Sequence, residues 1–83
     1  MKRVLIVEDE YAIRDLLTLN LMRAGYEVVG VESAESALTL FRGDKRRYDV
    51  ALLDIMLPGM SGFELCEAIR KEDPLIGIIM LSV

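Results

Sequence analysis

The sequence has few of the features that mark secreted, disulfide-bonded or membrane-bound proteins. Its single cysteine, Cys66, cannot form an internal disulfide, which fits a reducing cytoplasm. We interpret Cys66 as a small buried residue of a helix. The apolar run at residues 4–7 follows two basic residues but is far too short for a signal-peptide core or a membrane span. We therefore expect a cytoplasmic protein with neither a targeting segment nor a membrane anchor.

Positive charge and nucleotide-binding motifs are also scarce. Ten basic residues against fourteen acidic ones give a formal net charge of −4, which argues against a surface that binds nucleic acid or anionic lipid directly. Neither G-x-G-x-x-G nor G-x-x-x-x-G-K-S/T occurs, so a nucleotide-binding enzyme is disfavoured. The composition favours a small or cationic partner.

Four apolar, β-branched runs of strand length are present, at residues 4–7, 28–31, 50–53 and 76–81. Three of them are continuous rather than alternating, which is typical of strands covered on both faces in a parallel sheet. Helix-length segments separate the runs, so the chain alternates strand and helix and ends on the fourth strand. This order predicts one small α/β domain with right-handed crossovers and an open, doubly wound parallel sheet.

Local signals place the ends of the three helices. Gly25 stands where the first helix needs a left-handed C-cap, and Ser33 can cap the second helix. Ser61 and Glu64 form the capping-box pattern S-x-x-E, which opens the third helix, and residues 73–74 (Asp-Pro) end it. Helical spacing gives the first helix an apolar face consisting of Ile13, Leu16, Leu17, Leu21 and Ala24.

Acidic residues follow two of the predicted strands. Glu8 and Asp9 come directly after the first strand, and Asp54 comes directly after the third. In doubly wound sheets functional groups gather beyond the carboxyl ends of the strands, so the three carboxylates converge if these two strands are neighbours. Like charges at close range repel, and an oxygen-only cluster with room for water invites Mg²⁺. Two simpler interpretations stay open: in one, the triplet 8–10 serves only as charge at a helix N-terminus, and in the other, Asp54 is only a turn residue.

The loop after Asp54 suggests a chemical role for this residue. An aspartate carboxylate can attack phosphorus and carry an aspartyl phosphate. Pro58, Gly59 and Gly62 read as loop residues that turn the chain sharply and let amide N–H groups approach phosphoryl oxygens. The pattern therefore predicts a phosphoacceptor with a bound metal ion.

Three segments together resemble the receiver domain of bacterial two-component response regulators, of the kind found in DNA-binding transcription factors. They are VLIVEDE at residues 4–10, YDVALLDIMLPGMSGFEL at residues 48–65 and IIMLSV at residues 78–83. The resemblance spans the whole chain and implies a flavodoxin-like fold, with strand order 2-1-3-4 for the part present. It also implies a sensor histidine kinase as the partner that donates the phosphoryl group.

The resemblance assigns a role to each matching residue. It implies that Asp54 is the phosphoacceptor, that Asp9 and Asp54 bind Mg²⁺ or Mn²⁺ directly, and that Glu8 reaches the metal through water. Met56 would supply a backbone carbonyl ligand. Ser82 would be the switch hydroxyl that bonds the phosphoryl group. Asp-nucleophile phosphatases need a second Asp where this chain has Met56, so we expect a phosphoacceptor and not an enzyme.

The chain also departs from the family pattern. Residues 1–83 correspond to a partial receiver domain without the fourth helix, the fifth strand, the fifth helix or an output domain, and the lysine that ends the fifth strand has no counterpart. Losing such a cationic donor costs on the order of 10²–10³ in rate, so we expect impaired phosphoryl transfer. The fourth strand would be an apolar sheet edge, which predicts self-association. The alternative is a non-signalling fragment that acts only as a folding or assembly scaffold.

Overall fold

The computed structural model of the chain describes residues 1–43 and 47–81. Ser82, the predicted switch hydroxyl, therefore lies outside the described residues. Strands and helices alternate throughout. In chain order they are β1 (Arg3–Val7), α1 (Tyr11–Arg23), β2 (Glu27–Val31), α2 (Ala34–Gly43), β3 (Val50–Asp54), α3 (Gly62–Glu72) and β4 (Gly77–Leu81).

The four strands form one parallel sheet in the order β2-β1-β3-β4. Strand β1 lies between β2 and β3, and each strand-helix-strand unit returns the chain to the sheet in parallel. The predicted doubly wound α/β architecture and strand order 2-1-3-4 are confirmed. This order places the carboxyl ends of β1 and β3 next to each other.

The main core lies between the sheet and the pair α2 and α3. Alternate residues of the central strands point into it, together with the inner faces of these two helices. Its members include Leu5, Val7, Ala37, Leu38, Ala51, Leu53, Leu65 and Ile69. Val4 and Ile6, the intervening residues of β1, are also buried but belong to the opposite face, on which α1 packs.

The helix ends follow the predicted signals. Gly25 has a φ of 97°, and the amides of Gly25 and Tyr26 donate to the carbonyls of Met22 and Leu21, the two bonds of a Schellman motif. At the start of α2 the amide of Ser36 donates to the side-chain oxygen of Ser33. Both reciprocal bonds of the capping box at the start of α3 are present.

The burial of several residues differs from expectation. In α1 no residue is fully buried, and the side chain of Leu16 is 62% exposed. Helix α1 packs on β1 and β2. The side of α1 nearer to β3 contacts no helix among the described residues, so apolar side chains on it stay exposed. Of the described strands only β1 is buried along its whole length, so coverage on both faces was overestimated for the others. Cys66 packs against the core but is only half-buried.

The three helices contain at most 13 residues each. Within residues 1–43 and 47–81, none of them has the length and apolar character that crossing a membrane requires.

Candidate metal and phosphoacceptor site

The register of the two central strands builds the site. Val7 of β1 pairs with Leu53 of β3 in the parallel ladder. The next residues along the chain are Glu8, just beyond the end of β1, and Asp54, the last residue of β3, so both stand at the same edge of the sheet. The amide of Glu8 still donates to the carbonyl of Val31 at 3.1 Å, which extends the β1–β2 pairing up to the site.

Three carboxylates meet at this edge. Glu8, Asp9 and Asp54 each offer an oxygen atom, and these atoms all lie within 4.8 Å of one another. Glu8 is buried, Asp54 is half-buried and Asp9 is exposed. Glu10, the third acid of the triplet, is instead the N-cap residue of α1 and makes no side-chain capping bond. The structure thus brings together the three acidic residues that the sequence singled out.

The electrostatics of the cluster affect Glu8 most. The pKa of Glu8 is raised from 4.5 to about 7, first by burial and next by a hydrogen bond with the side chain of Asp54. The negative charges of Asp54, Asp9 and Glu10 add to the effect. Near neutral pH, then, Glu8 holds a proton in a substantial fraction of molecules, and this proton relieves the repulsion between the acids.

Asp54 is also fixed by the backbone that follows it. The amide of Met56 donates to Oδ1 of Asp54 at 3.2 Å, which forms a short side-chain turn two residues long. The side chain of Met56 is 82% exposed, so its thioether takes no part in the core. The amide of Ile55 donates to the carbonyl of Leu81, which ties the loop to the end of β4. These bonds hold the carboxylate of Asp54 at the open edge of the sheet.

Gly62 has a different role from the one that sequence reasoning gave it. It is the first residue of α3 and not a loop residue. A Cβ atom at this position would lie 2.9 Å from the carbonyl carbon of Asp54 and from Cα of Ile55, and still closer to the carbonyl oxygen of Asp54. The absence of a side chain therefore lets α3 begin directly against the backbone of Asp54. Gly59, with a φ of 76°, supplies the predicted sharp turn.

Comparison with known proteins decides the family. The protein-family model described as the response regulator receiver domain matches residues 4–83 of this chain. The chain belongs to this family. The curated relative AfsQ1, a transcriptional regulatory protein of Streptomyces coelicolor, is 45% identical to this receiver domain over 82 residues, which are 99% of this chain and 35% of AfsQ1. The receiver domain spans about a third of the length of the curated relatives it matches.

Two solved structures share the fold closely. The response regulator TrrA from Thermotoga maritima, in complex with Mg²⁺-BeF, has a TM-score of 0.89 and 44% identity, over 96% of this chain and 68% of that one. A complex of the histidine kinase ThkA with TrrA has a TM-score of 0.88 and 42% identity, over 100% of this chain and 70% of that one. These matches agree with a receiver domain of two-component signal transduction.

The donor set of the receiver domain fits Mg²⁺. It consists of carboxylate oxygens at an open edge, which leaves space for water molecules and for a phosphoryl oxygen. No nitrogen or sulfur ligand belongs to the cluster of Glu8, Asp9 and Asp54, so a hard cation suits it better than zinc or copper. A divalent ion would also replace the proton on Glu8 as the group that neutralises the acids.

Proposed function

We propose that Asp54 accepts a phosphoryl group from the phosphohistidine of a sensor histidine kinase, with Mg²⁺ (or Mn²⁺) held at the same site. The convergence of Glu8, Asp9 and Asp54 within 4.8 Å carries this proposal. Two structures of one relative support it, because TrrA was solved with Mg²⁺-BeF and also in complex with the histidine kinase ThkA. The chain is in this view a phosphoacceptor and not an enzyme that turns over a separate substrate.

The chemical step uses the carboxylate of Asp54. One of its oxygens attacks phosphorus, the new O–P bond forms as the N–P bond of the phosphohistidine breaks, and the imidazole nitrogen keeps the electron pair. The hydrogen bond from Met56 to Oδ1 orients the carboxylate, which leaves the other oxygen for the attack. Because Gly62 has no side chain, α3 can begin directly against the backbone of Asp54.

The proposed metal ligands are the carboxylates of Asp9 and Asp54, the backbone carbonyl of Met56 and, through water, Glu8. When bound, Mg²⁺ supplies positive charge that balances the negative charge on the transferring phosphoryl oxygens. We also propose that Ser82 contacts the phosphoryl group, although it lies outside the described residues. The single cysteine fits a cytoplasmic module, and the net charge of −4 argues against direct contact with nucleic acid.

Phosphorylation of Asp54 can be tested with the 83-residue chain and acetyl phosphate, read by intact mass. We expect a low but measurable yield of the singly phosphorylated chain in the presence of Mg²⁺, because no lysine donor from a fifth strand is present in these residues. Asp54→Asn should abolish it. Asp15→Asn, an exposed position in α1, is the matched control and should behave as wild type.

A chain that binds Mg²⁺ in calorimetry but gains no phosphoryl mass, even at long reaction times, would contradict phosphoryl transfer and favour the assembly scaffold. Equal phosphorylation of the Asp54→Asn variant would instead show that another residue accepts the phosphoryl group.

We further propose that the 83-residue chain, expressed by itself, self-associates through β4. Strand β4 pairs with β3 alone among the described strands, so one of its edges offers unpaired backbone groups. Ile78 and Met80 pack against the core, whereas Ile79, on the other face, is 52% exposed. On that face Leu16 of α1 is also exposed, so apolar surface extends from the sheet edge towards the helix.

Light scattering coupled to size-exclusion chromatography measures this association. At micromolar concentration we expect a mass of a dimer or larger, and Ile79→Lys should shift it towards the monomer because a charge on the interface must be desolvated. Leu75→Lys provides the control, since Leu75 is 83% exposed in the loop before β4. A wild-type chain that elutes as a monomer would rule the interface out.

A further inference from the structure

Arg14 of α1 reaches the end of β1, where the acidic site begins. Its Nη1 atom donates a hydrogen bond of 2.7 Å to the backbone carbonyl of Glu8. The side chain is half-buried, and its guanidinium carbon lies 5.6 Å from the centre of the Tyr11 ring. A charged donor on a carbonyl makes one of the stronger hydrogen bonds in proteins. This contact lies directly behind the site but includes none of the three carboxylates.

Gly30, in the interior of β2, makes room for the Arg14 side chain. Glycine is disfavoured inside strands unless another group approaches the backbone closely. Here a Cβ atom on Gly30 would lie 3.2 Å from Cγ of Arg14, 3.4 Å from its Cδ and 3.5 Å from Oγ1 of Thr18. The aliphatic part of Arg14 thus lies flat across β2, which directs the guanidinium towards Glu8.

The carbonyl that Arg14 holds belongs to the peptide group between Glu8 and Asp9. Because a peptide group is planar, fixing its carbonyl also fixes the directions in which the two flanking residues continue. Successive side chains of a regular strand point to opposite sides, but Glu8 and Asp9 lie beyond the end of β1, where the chain bends, and both bring an oxygen to the same cluster. The orientation of this peptide therefore controls whether the two acids can converge.

We propose that Arg14, seated over Gly30 and bonded to the Glu8 carbonyl, is a positioning residue for metal binding. It orients the Glu8 and Asp9 carboxylates towards the shared ion, and this inference rests on the proposed function of the site. The positive charge of Arg14 and its hydrogen bond to the Glu8 carbonyl have opposite effects on Mg²⁺ affinity. A nearby cation repels Mg²⁺, so loss of the charge alone would tighten binding, whereas loss of the positioning bond weakens it.

The experiment measures Mg²⁺ affinity by isothermal titration calorimetry with the full 83-residue chain at fixed pH and ionic strength. Arg14→Met keeps an unbranched apolar stem over Gly30 but removes the donor, and we expect about tenfold weaker binding. Arg14→Lys keeps the charge with a single, shorter donor and should recover part of the affinity. Arg23→Met, in the last turn of α1, removes the same charge far from the site and should change the affinity less than twofold, as a surface charge does.

A second measurement reports on the peptide itself. The amide nitrogen of Asp9 belongs to the peptide whose carbonyl Arg14 holds, so its NMR chemical shift should change in Arg14→Met and Arg14→Lys before any metal is added. The shift should stay unchanged in Arg23→Met.

Arg14→Met that binds Mg²⁺ as tightly as wild type, or more tightly, would overturn the positioning role. If this variant fails to fold, unchanged affinity in Arg14→Lys together with an unchanged Asp9 amide would overturn it equally. Failure of the wild-type chain to bind Mg²⁺ would instead refute the proposed function of the site, and this inference with it.

Discussion

Gly62→Ala is expected to lower the free energy of unfolding by about 3 kcal/mol or more, which places it among the severe single substitutions. A methyl group at this position would overlap the backbone of Asp54 and Ile55, and backbone atoms cannot swing aside as a flexible side chain can. Either α3 must move away from β3 or the Asp54 peptide must turn. Both responses disturb the cluster of Glu8, Asp9 and Asp54 that we propose as the metal site, so Mg²⁺ binding should be lost together with stability.

Urea unfolding, followed by circular dichroism, measures the effect, and Gly43→Ala is the matched control. Gly43 is also a helical glycine, at the end of α2, but a Cβ atom there would meet nothing within 4 Å. We expect this control to be neutral or stabilising by up to about 1 kcal/mol, because alanine favours the helix over glycine. Similar unfolding midpoints for the two variants would show that the close approach at Gly62 is not needed.

Mg²⁺ affinity should rise by about tenfold per pH unit up to about pH 7 and level off above it. The cause is Glu8, because burial, the hydrogen bond with Asp54 and the nearby negative charges together raise its pKa to about 7. Below this pH the ion must displace a proton, and above it the carboxylate is already free. Calorimetry in buffers of different ionisation enthalpy measures both the affinity and the proton release.

Glu8→Gln tests the assignment because it removes the titrating group and keeps the size of the side chain. The affinity of this variant should be lower near pH 8 and nearly flat below about pH 7. A slope in the variant equal to that of wild type would contradict the role of Glu8 and point to another acid.

The metal-free chain should show the opposite pH trend in stability. The pKa of Glu8 is higher in the folded state than its ordinary value of 4.5, so its contribution to stability is fully present below about pH 4.5 and is lost as the pH rises through about 7. Near pH 8 the Glu8→Gln variant should therefore be more stable than wild type without metal, by about 1–3 kcal/mol. Added Mg²⁺ should reduce or reverse this difference.

Sequence patterns sufficed for the order of the elements and for their ends. Continuous apolar runs, the glycine after α1 and the capping box at Ser61 are local signals, and each acts within a few residues of the position that it fixes. The parallel strand order followed from the alternation of strand and helix together with the family resemblance. The exposure of Leu16 could not be predicted in this way. Helical spacing identifies the apolar face of a helix but not how much of that face the rest of the protein covers.

The sequence predicted the three acidic residues of the site. It did not predict the neighbouring residues that hold them in place. Glu8, Asp9 and Asp54 stand at strand ends, where parallel topology concentrates functional groups. The reason for Gly62 lies in the backbone of Asp54, and the reason for Gly30 lies in the side chain of Arg14. Such contacts join residues of different elements, and no local pattern of residue types encodes them.

The pairing of Val7 with Leu53 has a consequence for sequence change within this fold. The carboxyl ends of β1 and β3 are aligned by hydrogen bonds between main chains, so the identity of the buried side chains matters little as long as the alignment holds. Many apolar replacements in β1 and β3 could accumulate without separating Glu8 from Asp54. A single inserted residue within either strand would separate them even if every original residue were kept.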